Sequence, residues 1–255
     1  MTKIKASFKI TLFLLWCLLC APTQFIYLLF VKGPTAYTLP YIWQRGVCKI
    51  FGIKVVISGA PISMAQTVFC SNHISYLDIP VIGSTLKASF VAKGEVESWP
   101  VFGFLSKLQQ TIFISRKRSD AHRAGEKIEQ NLQHGKNIII FPEGTSSDGS
   151  NVLAMKAALF SPVIGLKNTV IQPFSICIRS VDKHSVADAT APKELRDLYA
   201  WYGDMELAPH LWAFAQHKGA VIELVFHTPI AVDSGADRKV IAAQCEEKIR
   251  NPLVS

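Results

Sequence analysis

Hydrophobic residues are concentrated in the first fifty positions of the chain. Residues 10–31 form a run without a charged side chain, which is long enough to cross a bilayer. A second apolar stretch over residues 37–50 contains only the cations Arg45 and Lys49. We therefore predict a membrane-anchoring segment over residues 1–50. Four lysines border the first run: Lys3, Lys5, Lys9 and Lys32.

Two arrangements of this anchor are open. A single complete span with a basic N-terminus in the cytosol would carry everything after Lys32 to the other side of the membrane. Pro22 interrupts the apolar run near its middle, which favours two helices that enter one leaflet and return. A cleaved signal peptide is a third alternative, but Cys20-Ala21-Pro22 is a poor cleavage site.

The pattern changes after Lys54, where short β-branched runs alternate with stretches of helical periodicity. This alternation predicts one α/β domain over residues 51–255, with a mixed, mainly parallel sheet flanked by helices. Seven strands are predicted: Lys54–Ser58, Thr67–Cys70, Ala88–Ala92, Thr111–Ser115, Asn137–Phe141, Val170–Ile178 and Val221–Phe226.

The best-defined helix is predicted from about Ser119 to His134. Ser119 is a suitable N-cap, and Gly135 can end the helix. The apolar run that follows, residues 138–141, predicts a strand that is buried on both faces. The buried stripe of the helix is formed by Ala121, Ala124, Ile128 and Leu132.

Composition and charge point towards a lipid surface. The chain is 49% hydrophobic with only 18% charged residues, its mean hydropathy is +0.26, and its formal net charge is +8. A basic, apolar protein suits anionic lipid. Nucleic acid is a poorer partner, because no basic run with interleaved aromatic residues is present. The six scattered cysteines are typical of buried thiols in a reducing compartment.

The strongest chemical signal is the segment Asn72-His73-Ile74-Ser75-Tyr76-Leu77-Asp78, which follows a predicted strand. If His73 lies in the turn and Asp78 in the first turn of the next helix, the carboxylate can reach back to the imidazole. It would then fix the tautomer and stabilise the imidazolium, as the acid does in a serine-protease triad. No Gly-x-Ser-x-Gly nucleophile motif is present, so a substrate hydroxyl would take the place of the serine. A capping aspartate with a structural histidine is the alternative interpretation.

Three further blocks accompany this pair. Thr111-Ile112-Phe113-Ile114-Ser115-Arg116 is an apolar strand that ends on a cation. Phe141-Pro142-Glu143-Gly144-Thr145 follows the doubly buried strand, where open α/β sheets place their ligands. Val170-Ile171-Gln172-Pro173-Phe174 is another apolar strand.

These four blocks, in this order and at this spacing, resemble the glycerolipid acyltransferase family, which contains the 1-acylglycerol-3-phosphate acyltransferases. The resemblance covers about residues 43–178 and implies a fold like that of glycerol-3-phosphate acyltransferase. It implies that His73 is the base and Asp78 its partner, and that Arg116 holds the acceptor phosphate. The other implied substrate-binding residues are Glu143, Gly144 and Thr145 for the acceptor, Lys93 as a second phosphate cation and Pro173 on the acyl-donor side. Ordinary surface charge is the alternative for Lys93 and Arg116.

Two positions depart from the family pattern. Many members carry an arginine where this chain has Ser146, and the second block often opens with glycine where this chain has Gln110. The missing cation at Ser146 weakens the requirement for a phosphomonoester acceptor. Residues 201–205, with His210 and Trp212, resemble a bacterial subset that includes enzymes acylating lyso-ornithine lipid. This aromatic cluster is either core packing or the lining of an acyl groove.

The resemblance implies an O-acyltransferase in which His73 deprotonates the hydroxyl of a lysophospholipid, most simply 1-acyl-sn-glycerol-3-phosphate, to give phosphatidic acid. Lyso-ornithine lipid is the alternative acceptor. The acyl donor would be a thioester of acyl carrier protein or coenzyme A. The sequence does not identify the donors that stabilise the oxyanion, and backbone N–H groups near Gly144 are candidates. The expected location is the bacterial inner membrane, with the catalytic domain on its cytoplasmic face. A non-catalytic lipid-binding membrane protein and a thioester hydrolase are the competing functions.

Other motifs are dismissed. Residues 144–149 have the glycine spacing of a phosphate loop, but Ser150 stands where that loop requires lysine. The seven histidines show no metal-ligand spacing with cysteines or carboxylates, so we predict neither a metal nor another cofactor.

Overall fold

The computed structural model describes residues 2–63, 66–114, 121–186 and 191–254. Within these ranges, helices and strands alternate along most of the chain. The helices are α1 Thr2–Phe30, α2 Thr38–Phe51, α3 Asp78–Gly83, α4 Phe102–Leu108, α5 Ala121–Gln133, α6 Lys193–Arg196, α7 Leu207–Gln216 and α8 Arg238–Val254. The strands are β1 Lys54–Ser58, β2 Thr67–Ser71, β3 Ala88–Lys93, β4 Ile112–Ile114, β5 Asn137–Ile140, β6 Val170–Val181, β7 His184–Ser185, β8 Ala220–Phe226 and β9 Ile230–Ala231.

The strands form one mixed sheet, and the predicted α/β class is confirmed. Its main order is β1-β8-β6-β2-β5-β3-β4, with β7 and β9 paired to β6. The pairs from β6 through β2, β5 and β3 to β4 are all parallel, whereas β8 runs antiparallel to β6. All seven predicted strands are present. The two-residue strands β7 and β9 are too short for the sequence pattern to show.

Alternating side chains of the central strands fill two cores, one on each face of the sheet. Phe69 and Ile139 point into the core that contains α2, α3 and α7. Val68 and Ile138 point into the core that contains α5 and α8. The predicted stripe residues Ile128 and Leu132 are buried in that second core, while Ser119 and the side chains of residues 121 and 124 lie outside the described residues.

The two N-terminal helices pack on the first core. Phe13 of α1 and Phe51 of α2 belong to the same buried cluster as sheet residues. Gly46 lets the helices approach closely, because a Cβ at that position would stand 2.3 Å from the indole nitrogen of Trp16. That nitrogen donates to the carbonyl of Trp43 across the contact, at 3.0 Å. The boundary predicted at residue 50 stays a prediction, since both helices share a core with the sheet domain.

Helix α1 is attached to the domain near both of its ends. The Lys9 ammonium donates to the carbonyls of Phe51 at 3.3 Å and His217 at 2.7 Å. About 22 Å further along the helix, the buried amide of Gln24 donates to the carbonyls of Ala36 and Leu108, both at 3.1 Å. The helix therefore lies along the surface of the domain instead of standing away from it.

Helix α1 is also the one helix in the described ranges that is long and apolar enough to cross a membrane. It continues through Pro22, so the expected interruption at that proline is wrong for the backbone. A proline removes a single N–H from the ladder, and the remaining apolar residues favour a continuous helix. The turn between the two apolar stretches lies instead at residues 33–37, a short 3₁₀ helix before α2.

The parallel strands bring the chemical residues to one edge of the sheet. The segments that follow β2 and β5 leave the sheet side by side, because these strands are direct neighbours. His73 follows β2, and Glu143 follows β5. The order of the strands thus places residues that are 70 positions apart next to each other.

Candidate active site

His73 lies in the turn between strand β2 and helix α3, and Asp78 is the first residue of that helix. The imidazole Nδ1 stands 2.8 Å from Oδ2 of Asp78. The pairing has the geometry that the spacing of the two residues suggests. Because helix α3 begins at Asp78, the chain between them forms a tight turn around the carboxylate.

The carboxylate of Asp78 is fully buried and accepts four hydrogen bonds. In addition to His73, Oδ2 accepts the backbone N–H groups of Ile74 at 2.7 Å and Ser75 at 3.0 Å. The hydroxyl of Tyr199 donates to Oδ1 at 3.0 Å. These donors stabilise a charge that would otherwise be costly away from water.

This carboxylate fixes the tautomer of His73. A carboxylate can only accept, so Nδ1 carries the proton and Nε2 is free to take one. The ring lies nearly parallel to that of Phe141, with centroids 4.2 Å apart, and the side chain is 21% exposed. His73 therefore presents a basic nitrogen to a ligand from a rigid position.

The turn is held by hydrogen bonds from three other parts of the chain. The side-chain amide of buried Asn72 donates to the carbonyl of Ile176 at 3.0 Å and accepts from the Ile176 N–H at 2.8 Å. Ser147 N–H donates to the carbonyl of His73, and Trp201 N–H donates to that of Ile74, both at 2.9 Å. These bonds fix the turn relative to β6 and to the loops that follow β5 and α6.

Glu143 supports the same turn from the neighbouring strand. Its side chain is 2% exposed, and its Oε1 accepts the backbone N–H of His73 at 3.1 Å. Burial raises the pKa of this carboxyl to about 8, although the bond from the His73 N–H acts in the opposite direction. Burial thus favours the protonated form of Glu143, and this side chain contacts the backbone of His73.

Of the aromatic cluster expected around residues 201–212, Trp201 and His210 pack behind the turn, whereas Trp212 is exposed. Tyr76 contacts the ring of Trp201 edge-on, and its hydroxyl donates to Nδ1 of His210 at 2.9 Å. His210 in turn donates from Nε2 to the carbonyls of Asp197 and Ala200. Burial lowers the pKa of His210, which keeps it neutral. For Trp201 and His210, the structure thus shows packing against the turn at His73.

The other predicted substrate-binding residues divide into three groups. Gly144 and exposed Thr145 lie beside Glu143, and exposed Lys93 ends β3 at the same edge of the sheet. Pro173 is buried within β6 and pairs in register with Cys70, three positions before His73. Arg116 lies outside the described residues.

The amides after Glu143 are only partly engaged. Gly144 N–H donates to the carbonyl of Phe141 at 3.0 Å, and Ser147 N–H is engaged by His73. The backbone N–H groups of Thr145 and Ser146 lie between these two and make no hydrogen bond to any described residue. The site thus combines a base of fixed tautomer with backbone donors from the adjacent loop.

Known proteins resemble this chain in sequence and in fold. A family model described as Acyltransferase matches residues 55–177. A lyso-ornithine lipid O-acyltransferase from Brucella abortus is 34% identical over 242 residues, which are 92% of this chain and 88% of that protein. The chain belongs to the acyltransferase family.

Two other similarities extend the comparison of this acyltransferase. A 1-acyl-sn-glycerol-3-phosphate acyltransferase from Neisseria meningitidis is 31% identical over 208 residues, 81% of this chain and 77% of that protein. The crystal structure of the 1-acyl-sn-glycerophosphate acyltransferase from Thermotoga maritima has a TM-score of 0.69 at 18% identity, and the match covers 100% of this chain and 97% of that one. The last similarity confirms the expected fold.

Sequence reasoning missed three residues of the candidate site. Tyr199 and Asn72 hold the turn at His73 through buried hydrogen bonds to distant parts of the chain. Lys156 places its side chain across Gly144. Asn72 stands directly before His73, so its position was a usable signal. Tyr199 is 121 positions away from Asp78, and no local pattern indicates that contact.

We expect Tyr199→Phe to weaken both the fold and the reaction of this acyltransferase. Phenylalanine keeps the packing of a fully buried ring but removes the donor to Asp78. Burial raises the pKa of Tyr199, so the wild-type hydroxyl remains protonated and donates. A hydrogen bond to a charged group contributes about 1.5–3 kcal/mol, so kcat is expected to fall about tenfold or more, with KM nearly unchanged. Steady-state kinetics and thermal unfolding in detergent measure the two effects.

Tyr202→Phe is the matched control. Its hydroxyl also donates to a carboxylate, that of Asp197 at 3.0 Å, but this pair does not contact Asp78. The control should retain wild-type kcat. Equal rates for the two variants would show that the Tyr199 hydroxyl does not support the site.

Glu143→Gln is expected to change how stability depends on pH. The pKa of about 8 in the folded protein lies above the ordinary value of 4.5, so the folded state retains a proton that the unfolded chain releases. The corresponding stability is present below about pH 4.5 and is lost as the pH rises through about 8. Glutamine keeps an acceptor for the His73 N–H and does not titrate. The melting temperature of the wild type should therefore fall relative to that of the variant between pH 5 and pH 9, and parallel curves would contradict a protonated Glu143.

Proposed function

We propose that this protein transfers a fatty acyl group from a thioester to the free hydroxyl of a lysolipid, with His73 as the general base. The observation that carries the proposal is the His73–Asp78 pair, whose carboxylate is held by four donors while Nε2 stays available. A structural histidine paired with a capping aspartate would not need a buried tyrosine to complete the carboxylate's bonds. The family membership supports the same reaction class.

The reaction follows from the orientation of the imidazole. Nε2 takes the proton of the acceptor hydroxyl while its oxygen attacks the thioester carbonyl carbon. The negative charge moves to the carbonyl oxygen, and the free amides of Thr145 and Ser146 are our candidates to bind it. The carbon–sulfur bond then breaks, and the imidazolium returns its proton to the thiolate. Asp78 stabilises the imidazolium throughout, and no acyl-enzyme forms.

We favour lyso-ornithine lipid as the acceptor. The Brucella abortus relative is named for that acceptor, and it aligns with 92% of this chain at 34% identity. Ser146 stands where many phosphate-acceptor enzymes have an arginine, so a phosphomonoester would lack one expected cation. Lyso-ornithine lipid carries a carboxylate and the side-chain ammonium of ornithine instead of a phosphate.

Lysophosphatidic acid is the second candidate acceptor. The Neisseria meningitidis relative is named for it and aligns with 81% of this chain. Lys93 supports it, because this exposed lysine ends β3, which neighbours β5 at the same edge as Glu143. Arg116 would supply a second cation, as the family resemblance implies.

The exposed surface of α1 is apolar, which is consistent with membrane association. Its inner face contacts the domain near both ends, so we propose that it lies in the plane of one leaflet and does not cross it. Single cysteines introduced at the two ends of α1 would then both react with a membrane-impermeant thiol reagent from the same side, the cytoplasmic face of the inner membrane in our proposal. The outward-facing residues are large and apolar, among them Ile4, Phe8, Leu15, Leu18, Leu19, Ile26, Leu29 and Phe30.

The thioester would reach the site from the cytosol, as a conjugate of acyl carrier protein or coenzyme A. These donors are soluble, whereas the acceptor resides in the leaflet next to α1. A base at an edge of the sheet can meet both. This arrangement is part of the proposal and needs no additional cofactor.

A competition assay tests the acceptor. Purified protein in detergent receives one labelled acyl thioester with equal amounts of lyso-ornithine lipid and lysophosphatidic acid. We expect the two-chain ornithine lipid as the main product. Phosphatidic acid as the main product would instead identify lysophosphatidic acid as the preferred acceptor. Free fatty acid as the main product would favour a thioester hydrolase, and no turnover would favour a non-catalytic lipid-binding protein.

A further inference from the structure

The side chain of Lys156 lies across the loop that follows the catalytic strand β5. A Cβ placed on Gly144 would stand 2.4 Å from the Lys156 ammonium and 3.2 Å from its Cδ and Cε. Gly144 has a φ of +68°, so glycine is favoured there both by the backbone and by the lysine above it. The ammonium is thus in contact with the residue directly after Glu143.

The backbone holds Lys156 in this place. Its N–H donates to the carbonyl of Pro142 at 2.9 Å, which closes the loop over residues 142–156. The side chain is exposed, and among the described residues the ammonium has no acidic partner or hydrogen bond. A cation is therefore available at the active-site edge, where the protein itself does not neutralise it.

The same loop lacks the cation that many relatives have. Ser146 replaces an arginine two positions after Gly144. Lys156 brings a positive charge back to that loop from ten positions further along the chain. The Lys156 ammonium contacts Gly144, and the preceding residue, Glu143, accepts the backbone N–H of His73. The positive charge therefore lies close to the turn that carries His73.

We propose that the Lys156 ammonium binds the anionic headgroup of the acceptor lipid, a carboxylate or a phosphate, in place of the missing arginine. The headgroup would then be fixed beside Gly144 while the hydroxyl of the same molecule reaches Nε2 of His73. A lysine suits this role because it binds either anion as a point charge, whereas an arginine fork favours a planar bidentate partner. The inference rests on the proposed function and names the residue that holds its acceptor.

Kinetics of Lys156→Ala test the assignment. The KM for the anionic lysolipid is expected to rise about tenfold or more, while kcat and the KM for the thioester change little, since a charge-assisted contact that is equal in ground and transition states affects binding alone. Lys167→Ala is the control, because Lys167 is an exposed lysine just before β6, at the opposite edge of the sheet. The double variant Ser146→Arg/Lys156→Ala should recover much of the lost affinity.

Two arms separate this inference from the proposed function. Equilibrium binding of lyso-ornithine lipid, lysophosphatidic acid and uncharged monoacylglycerol to wild type and Lys156→Ala needs no turnover. Selective loss of either lipid that carries a carboxylate or a phosphate supports the inference, and the lipid that loses more identifies the anionic group. Equal binding by both proteins, equal losses for all three lipids, or a rise only in the thioester KM would overturn it. Absence of acyl transfer by the wild type would instead remove the proposed function.

Discussion

Replacing His73 by alanine is expected to lower acyl transfer by about 100- to 10,000-fold while leaving the fold intact. A positioned general base contributes about this factor, and no neighbouring side chain in the described residues replaces Nε2. The ring is partly exposed, so its removal leaves no deep cavity in the core. The rate of two-chain lipid formation from a labelled thioester measures the loss, and circular dichroism with thermal unfolding checks the fold.

His184→Ala is the control for this variant. His184 is exposed on the short strand β7, where it pairs with Val181 at the end of β6, and in the described part of the chain it makes no hydrogen bond to the site turn. The control should retain the wild-type rate. A His73→Ala protein that is folded and within threefold of wild type would rule out His73 as the base.

Asp78→Asn is expected to cost about 1,000- to 10,000-fold in kcat. The loss of the negative charge removes the stabilisation of the imidazolium, and in a serine protease the same exchange costs about 10⁴-fold. Asparagine also brings an NH₂ group to a position where all four contacts are donors. In the place of Oδ1 this NH₂ group opposes the Tyr199 hydroxyl, and in the place of Oδ2 it opposes the three other donors, so the bonding of the carboxylate is disrupted in either orientation of the amide. We therefore expect a lower melting temperature as well, by several degrees.

The double variant His73→Ala/Asp78→Asn separates a catalytic role of Asp78 from a purely structural one. If Asp78 acts through His73, the double variant should be no slower than His73→Ala alone, because residues that act as a unit are strongly non-additive. Asp204→Asn, an exposed aspartate in the loop after Tyr202, is the control and should be active. Multiplicative losses in the double variant would show that the aspartate acts independently of the histidine.

The local features of this fold could be predicted from the sequence. β-Branched runs specify strands such as β1 and β5 through their periodicity, and the strands appear within a few residues of the predicted bounds. The His73–Asp78 pair could also be predicted, since four intervening residues suffice to turn the chain back onto itself. In both cases the information lies within one short stretch of chain.

The remaining features depend on contacts between distant segments. Asn72 binds Ile176 because β2 and β6 are neighbours in the sheet, and no local pattern specifies that pairing. The contact between Tyr199 and Asp78 likewise joins distant segments. The pKa of Glu143 is raised by burial between strands and loops that meet only after folding. The Lys156 side chain can cross residue 144 because that residue is a glycine. The sequence shows the glycine but does not show that Lys156 packs over it.

The most direct test of the account is the fate of the acyl group in a single assay with lyso-ornithine lipid. Wild type and His73→Ala receive a labelled acyl thioester with and without this lipid, and the products are separated into two-chain lipid and free fatty acid. We expect the wild type to form two-chain lipid only when the lysolipid is present, with little free acid, and His73→Ala to form neither. Free fatty acid as the main product with the lysolipid present, or lipid product from His73→Ala at the wild-type rate, would contradict it.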